Sequence, residues 1–385
     1  DYETTIKANK NLIEELKKNF EKIFLKNFYK LKIFKKKNDK KISNVSKEID
    51  NLQYFCPETF SDLKNFFKDK KIVGILNMGR KKKDFKIHLI LNLFDVKLIQ
   101  TSNIGNVQWS HNPSQNKNLL GIIRLKLDKK FFPNLINFMS LFGLAPKVEI
   151  RFITNKPIIE NIKKSKFKSL LYRFNFFHAK ELILINSRTY DYFSTVKLNL
   201  SEDYIVLLDN QLDNSDDLLA DEINLKNILN DHYNFLTELL DNLQKKYKKK
   251  IIISLHPADN IEMKKKLFLN YEVIKFKTTD LISKAFLVIF FDSSAIVDAI
   301  YLKKRILSLK SKPLGKLALD GSNKYSTEVG IYQTSLVKNM EINNILSEID
   351  TRTPVYEKYI FNNINPSGTE KGSEKIIRII KKRFF

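Results

Sequence analysis

The chain has 385 residues, with 68 Lys+Arg against 43 Asp+Glu and a formal net charge of +25. At 43% hydrophobic and 29% charged it is too apolar for a disordered tail, and its length suggests two domains whose cores need no staple. The single cysteine, Cys56, excludes a disulfide framework and a cysteine-based structural zinc site, and no apolar run is long enough for a membrane span or a secretory signal.

Residues 11–37 read as one amphipathic helix: Leu12, Leu16, Phe20, Phe24, Phe28 and Leu31 follow at three- and four-residue steps, with lysines between. From Lys17 to Lys41 there are eleven lysines and two acids, Glu21 and Asp39. Such a helix either lies in an anionic interface or packs its apolar stripe on the protein's own core. The segment 35–46 (KKKNDKKISNVS) reads as a solvated linker. From Lys70 onward, short apolar strands alternate with helices. Strands are expected at 71–76, 96–100, 148–154 and 182–186, and helices at 85–94, at 119–144 with a break at Pro133, and from Pro157. A second run begins with the strand 204–208 (YIVLL), followed by an acidic segment and a long helix at 225–247. Strands at 251–255 (IIISL), 273–276, 287–291 (LVIFF) and 306–309 then alternate with helices at 262–269, 279–285 and 295–303. A basic helix, 373–385, closes the chain. Continuous apolar strands alternating with helices mean parallel sheets covered on both faces.

Ligands of such sheets sit beyond the carboxyl ends of the strands. In the second half, His256-Pro257 follows directly on IIISL. Proline fixes φ and stiffens the turn, and the imidazole can donate to a phosphate and offset charge on a leaving nucleotide; a plain strand-end histidine is the simpler alternative. Asp292-Ser293-Ser294 follows LVIFF and opens the next helix, where serines can cap the helix or help hold an anion. Asp298 lies in that helix. In the first half, the loop 77–80 (NMGR) and the loop 102–106 (SNIGN) also follow strands. Gly79 and Gly105 allow close backbone approach, Arg80 can meet a phosphate or carboxylate, and Asn103 stands beside them. Trp109 and His111, farther along, are weaker sugar-contact candidates.

On these residues the second half, about 200–385, resembles the donor-binding domain of GT-B glycosyltransferases. It resembles in particular bacterial sialyltransferases and polysialyltransferases, which carry an HP motif and a later Ser-Ser motif. It is also similar to the CDP-glycerol and CDP-ribitol polyol-phosphate transferases of teichoic acid synthesis, whose pattern is a histidine, then Asp-Tyr-Ser-Ser and a helix Asp. Both groups use cytidine nucleotides. The resemblance implies that His256 contacts the donor phosphate and that Ser293 and Ser294 hold it at the helix start, with no metal and no cofactor. The sialyltransferases also carry an acidic D/E-D-G motif that supplies the general base. This chain lacks it, and Asp209, just after YIVLL, is the nearest positional substitute; an Asx turn or helix cap is its simpler role, and Asp213, Asp216 and Asp217 are weaker candidates.

The expected architecture is α/β, two Rossmann-like domains of GT-B type facing across a cleft. Residues 1–50 form a basic helical extension, 51–200 an acceptor-side domain and 201–385 a donor domain. The expected activity is inverting, metal-independent transfer of a nonulosonic acid from a CMP-sugar to a surface glycan, lipid-linked glycan or glycoprotein. A CDP-polyol phosphotransferase is the same-fold alternative, and a nucleic-acid-binding or non-catalytic scaffold protein the alternative of another class. The charge invites nucleic acid, yet only nine of the 68 basic residues are Arg, the residue best suited to bidentate phosphate and base recognition. No RRM, OB or helix-turn-helix pattern is visible. Part of the excess matches the Lys, Asn, Ile and Phe bias of an AT-rich genome. The rest suits an anionic membrane surface, with the basic helices at both ends as the address and the inner face of the cytoplasmic membrane as the location.

Overall fold

The computed structural model describes residues 10–19, 23–26, 52–55, 59–68, 73–75, 90–102, 148–164, 179–196, 201–210, 225–257, 259–312, 314, 319–350 and 355–385. The described chain divides into two compact units: residues up to Asp191 together with Asn365–Phe385, and Tyr192–Ile364.

In the first unit, helix α1 (Lys10–Asn19) is followed by strand β1 (Ile23–Lys26), which pairs in parallel with β2 (Leu52–Phe55). The helix expected over 11–37 therefore stops at Asn19. Phe24, placed on its apolar stripe by a period of 3.6, lies in β1, where pairing with β2 overrides the helical pattern. Helix α2 (Phe60–Phe67) carries a capping box: Thr59 Oγ1 accepts from Asp62 N at 3.1 Å, and Asp62 Oδ2 from Thr59 N at 2.8 Å. Four parallel strands follow in the order β3 (Val73–Ile75), β4 (Lys97–Ser102), β5 (Val148–Ile153) and β6 (Glu181–Leu184), with α3 (Lys156–Lys164) after β5 and α4 (Arg188–Phe193) after β6. The helix expected over 119–144 lies outside the described residues.

The last helix, α12 (Gly372–Phe384), belongs to this first unit, whereas the sequence reading grouped 201–385 together. Its apolar face explains the return. Ile376, Ile377 and Ile380 are buried with Ile99, Ile150, Phe152 and Ile185 of the four-stranded sheet, and Leu12 of α1 joins the same cluster. Asn186 anchors the returning segment, accepting from Ser367 N at 2.9 Å and donating to the carbonyls of Gly368 and Glu370 at 2.6 and 2.9 Å. Asp191 then caps α12, its two carboxylate oxygens accepting from Gly372 N and Ser373 N at 2.7 and 2.8 Å. Burial raises the Asp191 pKa, and these donors from Ser373 and Gly372 oppose the shift. The apolar faces of both terminal helices are thus packed inside this unit.

The second unit holds β7 (Tyr204–Leu208), α5 (Leu225–Tyr247), β8 (Lys250–Leu255), α6 (Ile261–Leu267), β9 (Glu272–Lys275), α7 (Thr278–Ser283), β10 (Ala285–Phe290) and α8 (Ile296–Tyr301). It continues with β11 (Arg305–Ser311), α9 (Leu319–Val329), β12 (Tyr332–Leu336), α10 (Ile345–Asp350), α11 (Tyr356–Tyr359) and a π turn at Ile360–Ile364. Its six strands are all parallel, in the order β9-β8-β7-β10-β11-β12. Within the unit this is the doubly wound order 3-2-1-4-5-6, whose topological switch point falls between β7 and β10. Side chains alternate across the sheet. Ile205, Leu207, Ile251, Ile253, Leu287, Ile289, Leu307 and Leu309 pack with Leu236, Leu239, Leu240 and Leu243 of α5. Val206, Leu208, Ile252, Val288 and Phe290 are buried on the opposite face.

Candidate active site

The register fixes what stands at the carboxyl edge of the second sheet. Phe290 is opposite Leu208, and Leu208 opposite Ser254. Beyond these ladders, His256 follows β8 directly, and Asn210 and Asp292 each stand two residues past the ends of β7 and β10. The HP and SS motifs therefore follow β8 and β10, the two neighbours of β7, about 10 Å apart across two strand spacings. The switch point lies between β7 and β10, beside them.

His256 is exposed at the end of β8, where its carbonyl accepts from Asp259 N at 3.0 Å and closes the turn through Pro257. Partial burial lowers its pKa, Asp259 works in the opposite direction, and Lys275 adds to the lowering. The shift favours the neutral imidazole, which has one N–H to donate. Below it, the Ser254 and Thr278 hydroxyls lie 2.8 Å apart, tying β8 to the start of α7. From the next residue, Thr279 Oγ1 donates to Asp298 Oδ2 at 2.8 Å, which ties α7 to α8.

Asp292 and Ser293 are half-buried and Ser294 exposed. The serines stand ahead of the helix rather than at its cap, because the cap position belongs to Ala295. Ser293 Oγ accepts from Ala295 N at 3.4 Å, and its carbonyl from Ile296 N at 3.2 Å. Behind this turn, the buried Tyr325 packs edge-on against Phe290, with ring centroids 6.0 Å apart. Burial, and then the Asp292 charge, raise the Tyr325 pKa well above the usual tyrosine value.

Asp209 is placed otherwise than a base requires. Its position in the pleat follows Ile205 and Leu207, so its side chain enters the α5–α6 side. There Asp209 Oδ2 lies 2.8 Å from Lys264 Nζ, with both side chains 2% exposed. Lys264 also donates to the Tyr233 hydroxyl at 2.6 Å. Burial works against the ammonium, but the Asp209 carboxylate and Tyr233 outweigh it and hold the Lys264 pKa above its ordinary value. A carboxylate enclosed in this pair is a positioning group, not one presented to a substrate hydroxyl. Beside it, His232 of α5 is fully buried, its Nδ1 2.8 Å from Ser311 Oγ and its ring 4.9 Å from that of Phe291. Burial, reinforced by Lys264, lowers the His232 pKa to about 3.

Asn210 is a residue the sequence reading passed over. It stands two residues past the end of β7, the strand between those that lead into His256 and Asp292, and its Oδ1 is buried without a hydrogen-bond partner among the described residues. Its signal is positional: it is the second residue beyond the first strand of a doubly wound sheet. Lys264 had a signal too, since helical phase places it on the same face as Ile261 and Phe268, within an apolar stripe. Gly79, Arg80, Asn103, Gly105, Trp109 and His111 lie outside the described residues, as do Asp213, Asp216 and Asp217. Among the described residues, no helix is long and apolar enough to cross a membrane.

No family model matches the sequence, and no curated protein matches it. Solved structures do. The wall teichoic acid polymerase TagF, in a histidine-substituted form, matches with a TM-score of 0.54 at 12% identity, covering 98% of this chain and 85% of that one. The calicheamicin glycosyltransferase CalG4 matches with a TM-score of 0.51 at 8% identity, covering 97% of this chain and 94% of that one. The fold is GT-B. In this GT-B chain the second unit carries the doubly wound order and the motif-bearing edge. A turn histidine, an exposed serine and an unsatisfied asparagine oxygen beside one switch point can together meet a phosphate and the polar groups of a nucleoside.

Proposed function

We propose that the chain is a glycosyltransferase that uses a cytidine-nucleotide donor, bound at the carboxyl edge of the second sheet. The observation that carries this reading is that His256, Asn210 and Asp292 stand one or two residues past the carboxyl ends of the adjacent strands β8, β7 and β10, with Ser293 and Ser294 directly after Asp292. His256 donates its N–H to the donor phosphate, the Ser293–Ser294 turn holds the phosphate from the other side, and Asn210 meets the nucleoside. The donor is a CMP-activated nonulosonic acid of sialic, legionaminic, pseudaminic or Kdo type, and the acceptor is a glycan, a lipid-linked glycan or a glycoprotein. The acceptor hydroxyl attacks the anomeric carbon and gives up its proton to solvent water, the bond from that carbon to the phosphate oxygen breaks, and CMP leaves with inverted configuration at the sugar. Donor groups already aimed at the phosphate stabilise the negative charge that grows on it.

A second reading, transfer of a polyol phosphate from a CDP-polyol, is favoured by the likeness to TagF, one of whose structures was soaked with CDPG at a TM-score of 0.53. Isothermal calorimetry with CMP tests the donor site. His256→Ala is expected to weaken binding about tenfold or more, the value of one hydrogen bond to a charged group. Equal affinity, or no binding to the unaltered protein, refutes the site. Offering CMP-sugars and CDP-polyols in parallel and measuring released CMP separates the two donors.

A further inference from the structure

Nine large apolar side chains are exposed among the described residues, and four of them fall between Met263 and Phe276. Met263 is 60% exposed, Leu267 39%, Leu269 82% and Phe276 48%. Single exposed apolar residues are ordinary on a protein surface, whereas a cluster marks a docking site. These four belong to one feature: α6, the turn after it, and the end of β9, the edge strand of the second sheet. Met263 and Leu267 are four apart on α6 and share its outer face, while Lys264 and Phe268 point into the core. Phe276 has φ +67, a left-handed conformation rare for a bulky residue. Its ring lies 4.9 Å below Lys275 Nζ, which also donates to the Asp259 carbonyl at 2.8 Å.

Lysines are interleaved with this apolar surface. Lys266 is exposed beside Leu267, and Lys277 beside Phe276. Lys265 is exposed on the same helix, 3.5 Å from Glu262. Charge complementarity thus asks for an anionic partner. The core of a protein interface is depleted of lysine, and β9 is a poor template for strand addition, being four residues long with Glu272 and Lys275 at its ends. An anionic bilayer makes no such demand. Apolar side chains enter its headgroup–acyl boundary while lysine ammoniums stay at the phosphates. Among the described residues, Leu12 of the first helix and Ile376, Ile377 and Ile380 of the last are buried within the first unit, whereas these four apolar side chains are exposed together.

The geometry points to the α6–β9 edge as a peripheral docking surface for an anionic lipid bilayer. In it Met263, Leu267, Leu269 and Phe276 enter the interface, and Lys266 and Lys277 meet lipid phosphates. The test is co-sedimentation of the full chain with phosphatidylcholine vesicles, with and without phosphatidylglycerol. The unaltered protein is expected to bind the phosphatidylglycerol vesicles preferentially. Leu269→Ser with Phe276→Ser, and separately Lys266→Glu with Lys277→Glu, are each expected to weaken that binding about tenfold or more. All four side chains are exposed, so thermal unfolding should be unchanged; if one pair fails to fold, the other still decides. Binding unchanged in a folded variant, or no binding by the unaltered protein, overturns the proposal. So does a dimer in lipid-free solution that the apolar pair dissociates, since the face would then belong to a second copy. The readout needs no nucleotide, so its failure leaves the donor reading untouched.

Discussion

The Asp209–Lys264 pair offers the sharpest test of how this site is built. Both side chains are 2% exposed and their charged atoms are 2.8 Å apart. Removing one partner leaves the other charged and buried, which costs about 3–5 kcal/mol. Asp209→Asn and Lys264→Met should therefore each lower stability by about that amount in urea denaturation followed by circular dichroism. Replacing both with apolar residues, Asp209→Leu with Lys264→Met, removes both desolvation costs and should return stability to within about 1–2 kcal/mol of the unaltered protein. The double variant also separates two roles for the carboxylate. A positioning pair predicts that restored packing restores donor turnover; a general base predicts a stable protein without turnover. A stable but inactive double variant would refute our placement of Asp209. Loss of less than about 1 kcal/mol in the single variants would refute the buried pair itself.

Two further outcomes follow from the same structure. His232 has its pKa lowered from 6.5 to about 3 by burial and by Lys264, so the folded state excludes a proton that the unfolded chain accepts. The neutral ring's contribution is complete above pH 6.5 and is lost as the pH falls toward 3, amounting to about 2 kcal/mol between pH 7 and 5. His232→Asn should flatten urea-derived stability over that interval, and an unchanged pH slope would exclude His232 as the sensor. At the C-terminal return, a Cβ on Gly372 would stand 2.1 Å from the Asn186 carbonyl oxygen, so backbone must move. Gly372→Ala should cost about 1–3 kcal/mol in the same assay, and a neutral effect would mean that α12 docks otherwise.

Much of this architecture was legible because buried parallel strands announce themselves as unbroken apolar runs. YIVLL, IIISL and LVIFF all became strands, and α5 spans Leu225–Tyr247, the range its apolar period predicts. β12 escaped notice because YQTSL is a polar edge strand, with no apolar run to detect. β1 was hidden in a lysine–phenylalanine stretch that fits a helical period equally well. Its pairing with β2, 29 residues away by the Ile23–Leu52 register, is a long-range contact that local pattern does not encode. The destination of α12 was unreadable for the same reason: its isoleucines show that one face is buried, not which sheet buries it.

The site divides along the same line. Position after a strand singles out His256 and the Asp292–Ser294 turn as candidates, because strand ends are local features. Whether a strand-end side chain faces solvent or core depends on pleat phase, which the strand itself already carries. Asp209 shares phase with Ile205 and Leu207, and those residues face α5. A carboxylate in that phase has to meet a buried cation, and the one lysine of α6 in phase with Ile261 and Phe268 supplies it. Asn210, one residue later, has the opposite phase, and its buried Oδ1 has no hydrogen-bond partner among the described residues. The group to seek at the switch point is therefore an even-numbered successor of Val206 and Leu208, and for β7 that residue is Asn210.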